Sequence, residues 1–268
     1  MTRHLRIANA GQVRREIGDW AETESARDMR RSIDMVRASS DPAITMISAG
    51  TGVGKTTEIQ RLCHEIGSEA MYVDVARGEG TPWNFAARLA QCWPEYQRPV
   101  FNGLADAREV LAHWISRPTV LDNWTRRILL VDECQYLAQK DRKTGLVGSA
   151  LEWMRALGET GEFHIVMCGD MNLTRIVATM PQLESRIIRP VVIPHVSRAD
   201  LAAVLEGTAF MQSEMINTLH KMCVLKGGLR HVEKVTRHAQ RFAGGATPTL
   251  AHLEAAISDM KLMPKGEF

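Results

Sequence analysis

Apolar residues along the chain follow two alternating rhythms. Short apolar runs at Ala43-Ile44-Thr45-Met46-Ile47, Ala70 to Val75, Ile128 to Val131, His164 to Cys168 and Val191 to Pro194 read as buried strands. Between them apolar positions return at helical spacing: Ile33 with Val36, then Ile59, Leu62, Cys63 and Ile66, then stretches around Asn84 to Cys92, Arg108 to Ile115 and Ser149 to Leu157. Asp41-Pro42 closes the first helical pattern before the first strand. Strands separated by helices predict a parallel sheet and an α/β fold. From about Ser197 the strand signals stop. Ile216, Leu219 and Cys223, then Val232, Val235, Ala239 and Phe242, then Leu250, Leu253 and Ile257 mark amphipathic helices of a separate lid. The predicted organisation is a helical lead segment at residues 1–42, an α/β core at 43–195 and a helical lid at 196–268, without repeats or long linkers.

Composition narrows the chemistry. The 268 residues are 45% hydrophobic and 24% charged, enough to bury a substantial core, so wholesale disorder is excluded. No apolar run approaches the roughly 18 residues of a membrane helix, and Met1 to Gly50 lacks the apolar stretch of a secretory signal, so a cytoplasmic protein without a membrane partner is expected. Cys63, Cys92, Cys134, Cys168 and Cys223 are scattered, and neither they nor the nine histidines form a zinc or disulfide pattern. A formal charge of +2 permits a polyanionic partner without requiring one. The six tryptophans are read as packing residues, with Trp83 after Pro82 a candidate for an exposed position.

Ala49-Gly50-Thr51-Gly52-Val53-Gly54-Lys55-Thr56-Thr57 lies between the first strand and its helix, where a phosphate-binding P-loop belongs. Glycines let such a loop wrap with its N–H groups inward, and the helix N-terminus adds positive potential where phosphate charge would sit. Gly50 through Thr57 are therefore candidate nucleotide contacts, with Lys55 reaching the β- and γ-phosphates of ATP and Thr56 holding Mg²⁺. Ala49 stands where the strict pattern has glycine, and its methyl group bears on the first turn of the loop. Downstream, the buried run Ile128-Leu129-Leu130-Val131 ends in Asp132-Glu133. Adjacent carboxylates at such a strand end suit a P-loop ATPase: Asp132 for the Mg²⁺ shell and Glu133 to polarise the attacking water.

With Asp132-Glu133-Cys134-Gln135 in place, the chain resembles AAA+ ATPases of the D-E-x-Q/H kind, found among transposition regulators and related bacterial ATPases. In overall order it is most similar to the B transposition proteins of Mu-like phages, from about residue 20 to 262. The residues that carry this are Ala21-Glu22-Thr23, the P-loop, the acidic strand end, Val166 to Asp170, Leu183-Glu184-Ser185-Arg186-Ile187 and Gly228-Leu229-Arg230. The resemblance implies a three-layer αβα P-loop core followed by a small all-helical lid. It further implies a polar sensor at Asp170, with Asn172 as the alternative, a trans-acting arginine at Arg186, with Arg189 as the alternative, and a second sensor at Arg230, which opens a lid helix after Gly227-Gly228.

The same resemblance implies a homo-oligomer, a ring or helical filament, whose active site is completed by the neighbouring subunit. Lys140, Arg142 and Lys143, in the polar stretch after the acidic strand, and Arg77, after the second strand, become candidates for largely sequence-independent contacts with double-stranded DNA. Lys226, Arg230, Lys234, Arg237 and Arg241, opposed by Glu233, make a basic lid segment suited to DNA, a transposase or solvent. The expected function is an ATP-dependent, DNA-binding AAA+ ATPase that selects target DNA and activates a transposase. A secretion-type AAA+ ATPase that remodels a protein partner is the alternative, and a slow nucleotide-locked binding module is a third class.

Overall fold

The computed structural model describes residues 20–92, 100–116, 126–138 and 147–262. They group into two compact units, one spanning Ser25–Pro194 and the other running from His195 and taking in the described residues up to Glu24.

The first unit carries five parallel strands, β1 (Ile44–Ala49), β2 (Ala70–Asp74), β3 (Ile128–Asp132), β4 (His164–Gly169) and β5 (Val191–Ile193), in the order β2-β3-β4-β1-β5. Its helices are α1 (Glu24–Arg37), α2 (Lys55–Ile66), α3 (Pro82–Ala90), α4 (Leu104–Ser116), α5 (Ser149–Gly161), α6 (Met171–Val177) and α7 (Pro181–Glu184). Alternation along the central strands builds two cores. Met46, Leu129, Val131, Ile165 and Met167 face one layer with Phe85, Leu111 and Met154, from α3, α4 and α5. Ile47, Ile128, Leu130, Val166 and Cys168 face the other, with Met29, Ile33 and Val36 of α1 and Ile59 and Leu62 of α2. Strands covered on both faces read as unbroken apolar runs, which is why the sequence announced them. The result is the expected three-layer αβα core.

The lead segment differs from expectation at its boundary. α1 belongs almost wholly to the core unit, which begins at Ser25 rather than at residue 43. Met29, Ile33 and Val36 are at most 1% exposed, and each such side chain contributes roughly 1.5–3 kcal/mol when buried, so α1 is a structural cover of the sheet and not a solvated leader. Its polar groups are matched too. The hydroxyl oxygens of Ser32 and Thr45, both fully buried, stand 2.6 Å from each other and 2.6 Å each from the Arg189 carbonyl oxygen, so their two protons are shared among three short contacts.

The second unit contains α8 (Arg198–Leu205), α9 (Ser213–Leu225), α10 (Leu229–Phe242) and α11 (Leu250–Asp259). Leu201, Leu205, Phe210, Met215, Leu219, Met222, Val232, Val235, Leu253 and Ile257 are buried in it. Periodicity locates α9 to α11 but not α8, whose run Ala199 to Leu205 is apolar on nearly every side. The legible signal was its cap: Ser197 Oγ accepts from the Asp200 N–H at 2.9 Å. No helix among the described residues is long and apolar enough to cross a membrane. All five cysteines are free thiols.

His164 opens β4 and is buried, its Nδ1 accepting from the Ala43 N–H at 3.2 Å. Burial, with Arg126 and Arg37 nearby, pulls its pKa from 6.5 down to about 4. The folded protein thus keeps a neutral imidazole where the unfolded chain is already protonated. This contribution to stability is fully present above pH 6.5 and declines as pH falls from there to 4, by at most roughly 3 kcal/mol. Urea unfolding measured across that window is expected to show the decline, and His164→Asn, which keeps an acceptor for Ala43, is expected to flatten it.

Candidate active site

In the strand order β2-β3-β4-β1-β5, the carboxyl ends of β3, β4 and β1 lie side by side. The loops that leave those ends therefore meet, and they carry the acidic pair, Asp170 and the P-loop. The P-loop leaves β1 at Gly50, whose N–H donates to the Ile193 carbonyl at 2.9 Å. Ala49, where the strict pattern has glycine, is the last residue of β1, buried and in register with Ile193. Extended backbone accepts a methyl group, so the glycine requirement moves to Gly50. A Cβ there would stand 2.2 Å from the Pro194 carbonyl oxygen.

Gly54 has φ 100° and precedes the first residue of α2, and no side chain caps this end. The first N–H groups of a helix have no intrahelical acceptor, so those of α2 remain available to an anion along with the helix dipole. Thr51 and Thr57 are exposed, Gly52, Gly54 and Thr56 half-buried, and Val53 and Lys55 buried. One face of the loop is anchored and the other open.

Asp132 gathers the loop onto the sheet. Its Oδ1 accepts from Lys55 Nζ at 2.6 Å and from the Glu133 N–H at 2.9 Å, while Oδ2 accepts from Thr56 Oγ1 at 2.7 Å and from the Tyr72 hydroxyl at 3.4 Å. Burial works against the Lys55 ammonium, yet the charge and hydrogen bond of Asp132, with Glu133 also near, outweigh it and raise the pKa above the usual lysine value. Burial, with the acids nearby, pushes the Tyr72 phenol up to about 12. Glu133 stands next in line, its Oε1 3.5 Å from Lys55 Nζ. Its φ of 59° is a left-handed conformation that side chains rarely adopt. The turn sends its half-exposed carboxylate away from the strand direction and toward the lysine.

This donor set suits Mg²⁺ and a polyphosphate. A hydroxyl and a carboxylate bound to one another offer hard oxygen ligands, and magnesium commonly takes one or two protein oxygens with phosphate and water completing its shell. Correspondingly, no group of three or more His, Cys, Asp or Glu able to cage a metal occurs among the described residues.

The region from residue 37 to 177, which carries all of these groups, matches the family model described as AAA domain. The chain belongs to the AAA domain family. It is of the AAA+ ATPase type, a family that implies nucleotide binding. Residues 185–260 match a second family model, Mu B transposition protein, C terminal. No curated protein sequence matches the chain. Among solved structures, the Aeropyrum pernix ORC1 protein in complex with DNA is similar at a TM-score of 0.63 and 15% identity, over 89% of this chain and 65% of that one. Cdc6p from Pyrobaculum aerophilum is similar at 0.64 and 9% identity, over 91% and 68%. Drosophila ORC bound to DNA is similar at 0.58 and 17%, over 88% and 60%. The chain thus spans about two thirds or less of the length of most of these structures, and the likeness concerns the fold.

Around the AAA site, Asp170 caps α6: its Oδ1 accepts from the Asn172 N–H at 2.9 Å and Oδ2 from the Asn172 side-chain amide at 3.1 Å. The two candidate sensors are therefore one bonded unit. Arg189 is engaged within its own unit, its half-buried guanidinium paired with the Asp28 carboxylate and carbonyl. Arg186 is half-exposed and pairs with Glu159 at 2.7 Å. It sits beside a shallow pocket lined by Pro42, Ile44, Gly158 and Phe163. Ile187 bridges Ile44, the first residue of β1, so about 17 Å of strand separates this arginine from the P-loop at the far end. Arg77 is exposed in a turn beyond β2, at the carboxyl end of the sheet. Arg230 is exposed in the first turn of α10, in the helical unit. Lys140, Arg142 and Lys143 lie outside the described residues. Trp153 is buried and donates to the Leu104 carbonyl, and Trp83 is 47% exposed at the start of α3.

Sequence reasoning passed over Gln135 as a site residue, although it stands in the quoted motif. Its amide donates to Glu133 Oε2 and its Oε1 accepts from the Asp170 N–H at 3.1 Å.

Because the oxygen facing Gly50 belongs to backbone, it has no easy way to move. Gly50→Ala is expected to cost about 1–3 kcal/mol in urea unfolding and to weaken nucleotide binding, measured by titration with a fluorescent ATP analogue, more than a substitution at exposed Thr51.

Proposed function

We propose that this AAA+ ATPase binds duplex DNA in an ATP-dependent homo-oligomer, a ring or helical filament, and presents target DNA to a transposase that it activates. The carrying observation is the cluster in which Asp132 holds Lys55 and Thr56 while Glu133 turns back toward the lysine. The match of residues 185–260 to the Mu B C-terminal family favours the transposition reading over a secretion-type ATPase. Two of the structural neighbours, one in complex with DNA and one bound to DNA, support a DNA partner.

In this reading Gly50 to Thr57 and the N-terminus of α2 hold the phosphates, with Lys55 against the β- and γ-phosphoryl oxygens. Thr56 and Asp132 hold Mg²⁺, which when bound offsets phosphate charge. Glu133 orients a water and takes its proton. The water oxygen bonds to the γ-phosphorus as the bond from phosphorus to the β–γ bridging oxygen breaks, and that electron pair leaves on ADP. Asp170, bonded to Asn172, orients the water from the β4 side. Arg186 serves the neighbouring protomer's site. Its position at the opposite end of β1 from its own P-loop supports this, and its exposed pairing with Glu159 is worth under about 1 kcal/mol, so it can change partners. Arg77, Lys140, Arg142 and Lys143 contact DNA phosphates, giving binding that weakens steeply with salt.

Glu133→Gln is expected to keep ATP affinity within about twofold while lowering turnover by roughly 100-fold or more, read by phosphate release. Arg186→Ala is expected to lower turnover only under conditions where wild-type rate rises with protein concentration. Mixing it with Lys55→Ala should restore part of the activity, because an intact P-loop then meets an intact arginine across a boundary. Co-sedimentation with duplex DNA is expected with ATP and not with ADP, and DNA binding indifferent to nucleotide would count against the proposal.

A further inference from the structure

Gln135 lies in the 3-10 turn Cys134–Ala138 that follows β3. Its two amide atoms have different partners: Nε2 donates to Glu133 Oε2, and Oε1 accepts from the Asp170 N–H at 3.1 Å. A carboxylate accepts and an N–H donates, so only this orientation of the amide satisfies both. The space for the bridge comes from Gly169, where a Cβ would stand 2.7 Å from Gln135 Oε1. The chain of bonds continues, for the Asp170 carbonyl accepts from Ser48 Oγ at 2.8 Å, two residues before Gly50 in β1. One side chain thus joins the acidic loop of β3 to the end of β4, and through it to the strand that bears the P-loop.

Glu133 has a reason to need such a partner. Left-handed backbone at a residue with a side chain costs on the order of 1 kcal/mol or more and persists only where surroundings enforce it. Its N–H is held by Asp132 and its carbonyl accepts from the Tyr136 N–H at 3.0 Å. Those bonds fix the backbone but leave the carboxylate rotation free. Gln135 fixes that rotation by holding Oε2, which leaves Oε1 toward Lys55 and the phosphate cradle.

We infer that Gln135 is the positioning residue of the hydrolytic site: it aims the Glu133 carboxylate at the water and ties that aim to Asp170. This rests on the proposed role of Glu133. The decisive variant is Gln135→Glu, nearly identical in shape. One oxygen still accepts from the Asp170 N–H, but the other confronts Glu133 Oε2 with no proton between them. Two carboxylates so placed repel.

The experiment measures ATP affinity, single-turnover hydrolysis and thermal melting of full-length wild type, Gln135→Glu, Gln135→Ala and Glu133→Gln from pH 6 to 8.5. Gln135→Glu is expected to bind ATP within about twofold of wild type and to hydrolyse it at least about tenfold more slowly at pH 8. Gln135→Ala should be comparably slow with the same ATP affinity. Wild-type turnover at pH 8 in a folded Gln135→Glu protein would mean that the glutamine merely holds the start of α6, and would overturn the inference. If Gln135→Glu does not melt cooperatively, Gln135→Ala decides, wild-type turnover again overturning it. Full turnover in Glu133→Gln would instead remove the reading beneath it, whatever the Gln135 variants do.

Discussion

The carboxylate of Asp132 is the point on which the site depends. It is 1% exposed and Lys55 8%, and taking two such charges out of water is favourable only when their geometry and remaining hydrogen bonds are nearly complete. Here they are: four donors converge on two oxygens, from a lysine, a threonine, a tyrosine and the next peptide N–H. Those donors come from α2, β2 and the residue that follows β3, so the charge cannot be satisfied unless the P-loop helix lies across the end of β3. With β4 between β1 and β3 in the sheet, Lys55 must reach over one strand to meet its partner. The same bonds that stabilise this corner give it chemistry, since they hold the Lys55 amine and the side chains of Asp132 and Glu133 close together.

How much of this could be read beforehand follows from which features are local. Strands covered by helices on both faces must be apolar at every position, so β1, β3 and β4 stood out. α2 was recognised by its stripe at Ile59, Leu62 and Ile66 but begins at Lys55, because its first turn packs against carboxylates rather than against the core. α6 and α7 are short, and α8 has no polar face, so none produced a period. The P-loop and the acidic pair were legible because each places unusual chemistry at a strand end within a few residues. What sets Arg186 apart from Arg189 was not, since both fall in one short stretch and the partner of Arg189, Asp28, is far away in the chain. Gln135 escaped for a related reason: its role depends on an N–H from another strand and on the missing side chain of Gly169.

The core has unlike ends. The P-loop residues and the acidic pair crowd the carboxyl ends of the strands, whereas Arg186 and Glu159 lie by the amino ends. On the proposed reading, identical subunits meeting front to back would satisfy both ends at once. Such head-to-tail contact closes into a ring or runs on as a helix according to the rotation at each step. A lock washer and a disc are thus two outcomes of one interface.

The helix laid over β1 has a practical corollary for anyone cutting this gene into pieces. An expression boundary chosen at the first strand, where sequence patterning places it, would strip the roof from Ile47, Ile59 and Leu130 and release the Arg189 carbonyl from the Ser32 hydroxyl. The shortened polypeptide would enter solution with a greasy flank and a loosened β5 edge, an invitation to clump that has nothing to do with ATP. A cut upstream of Glu24 leaves that roof in place.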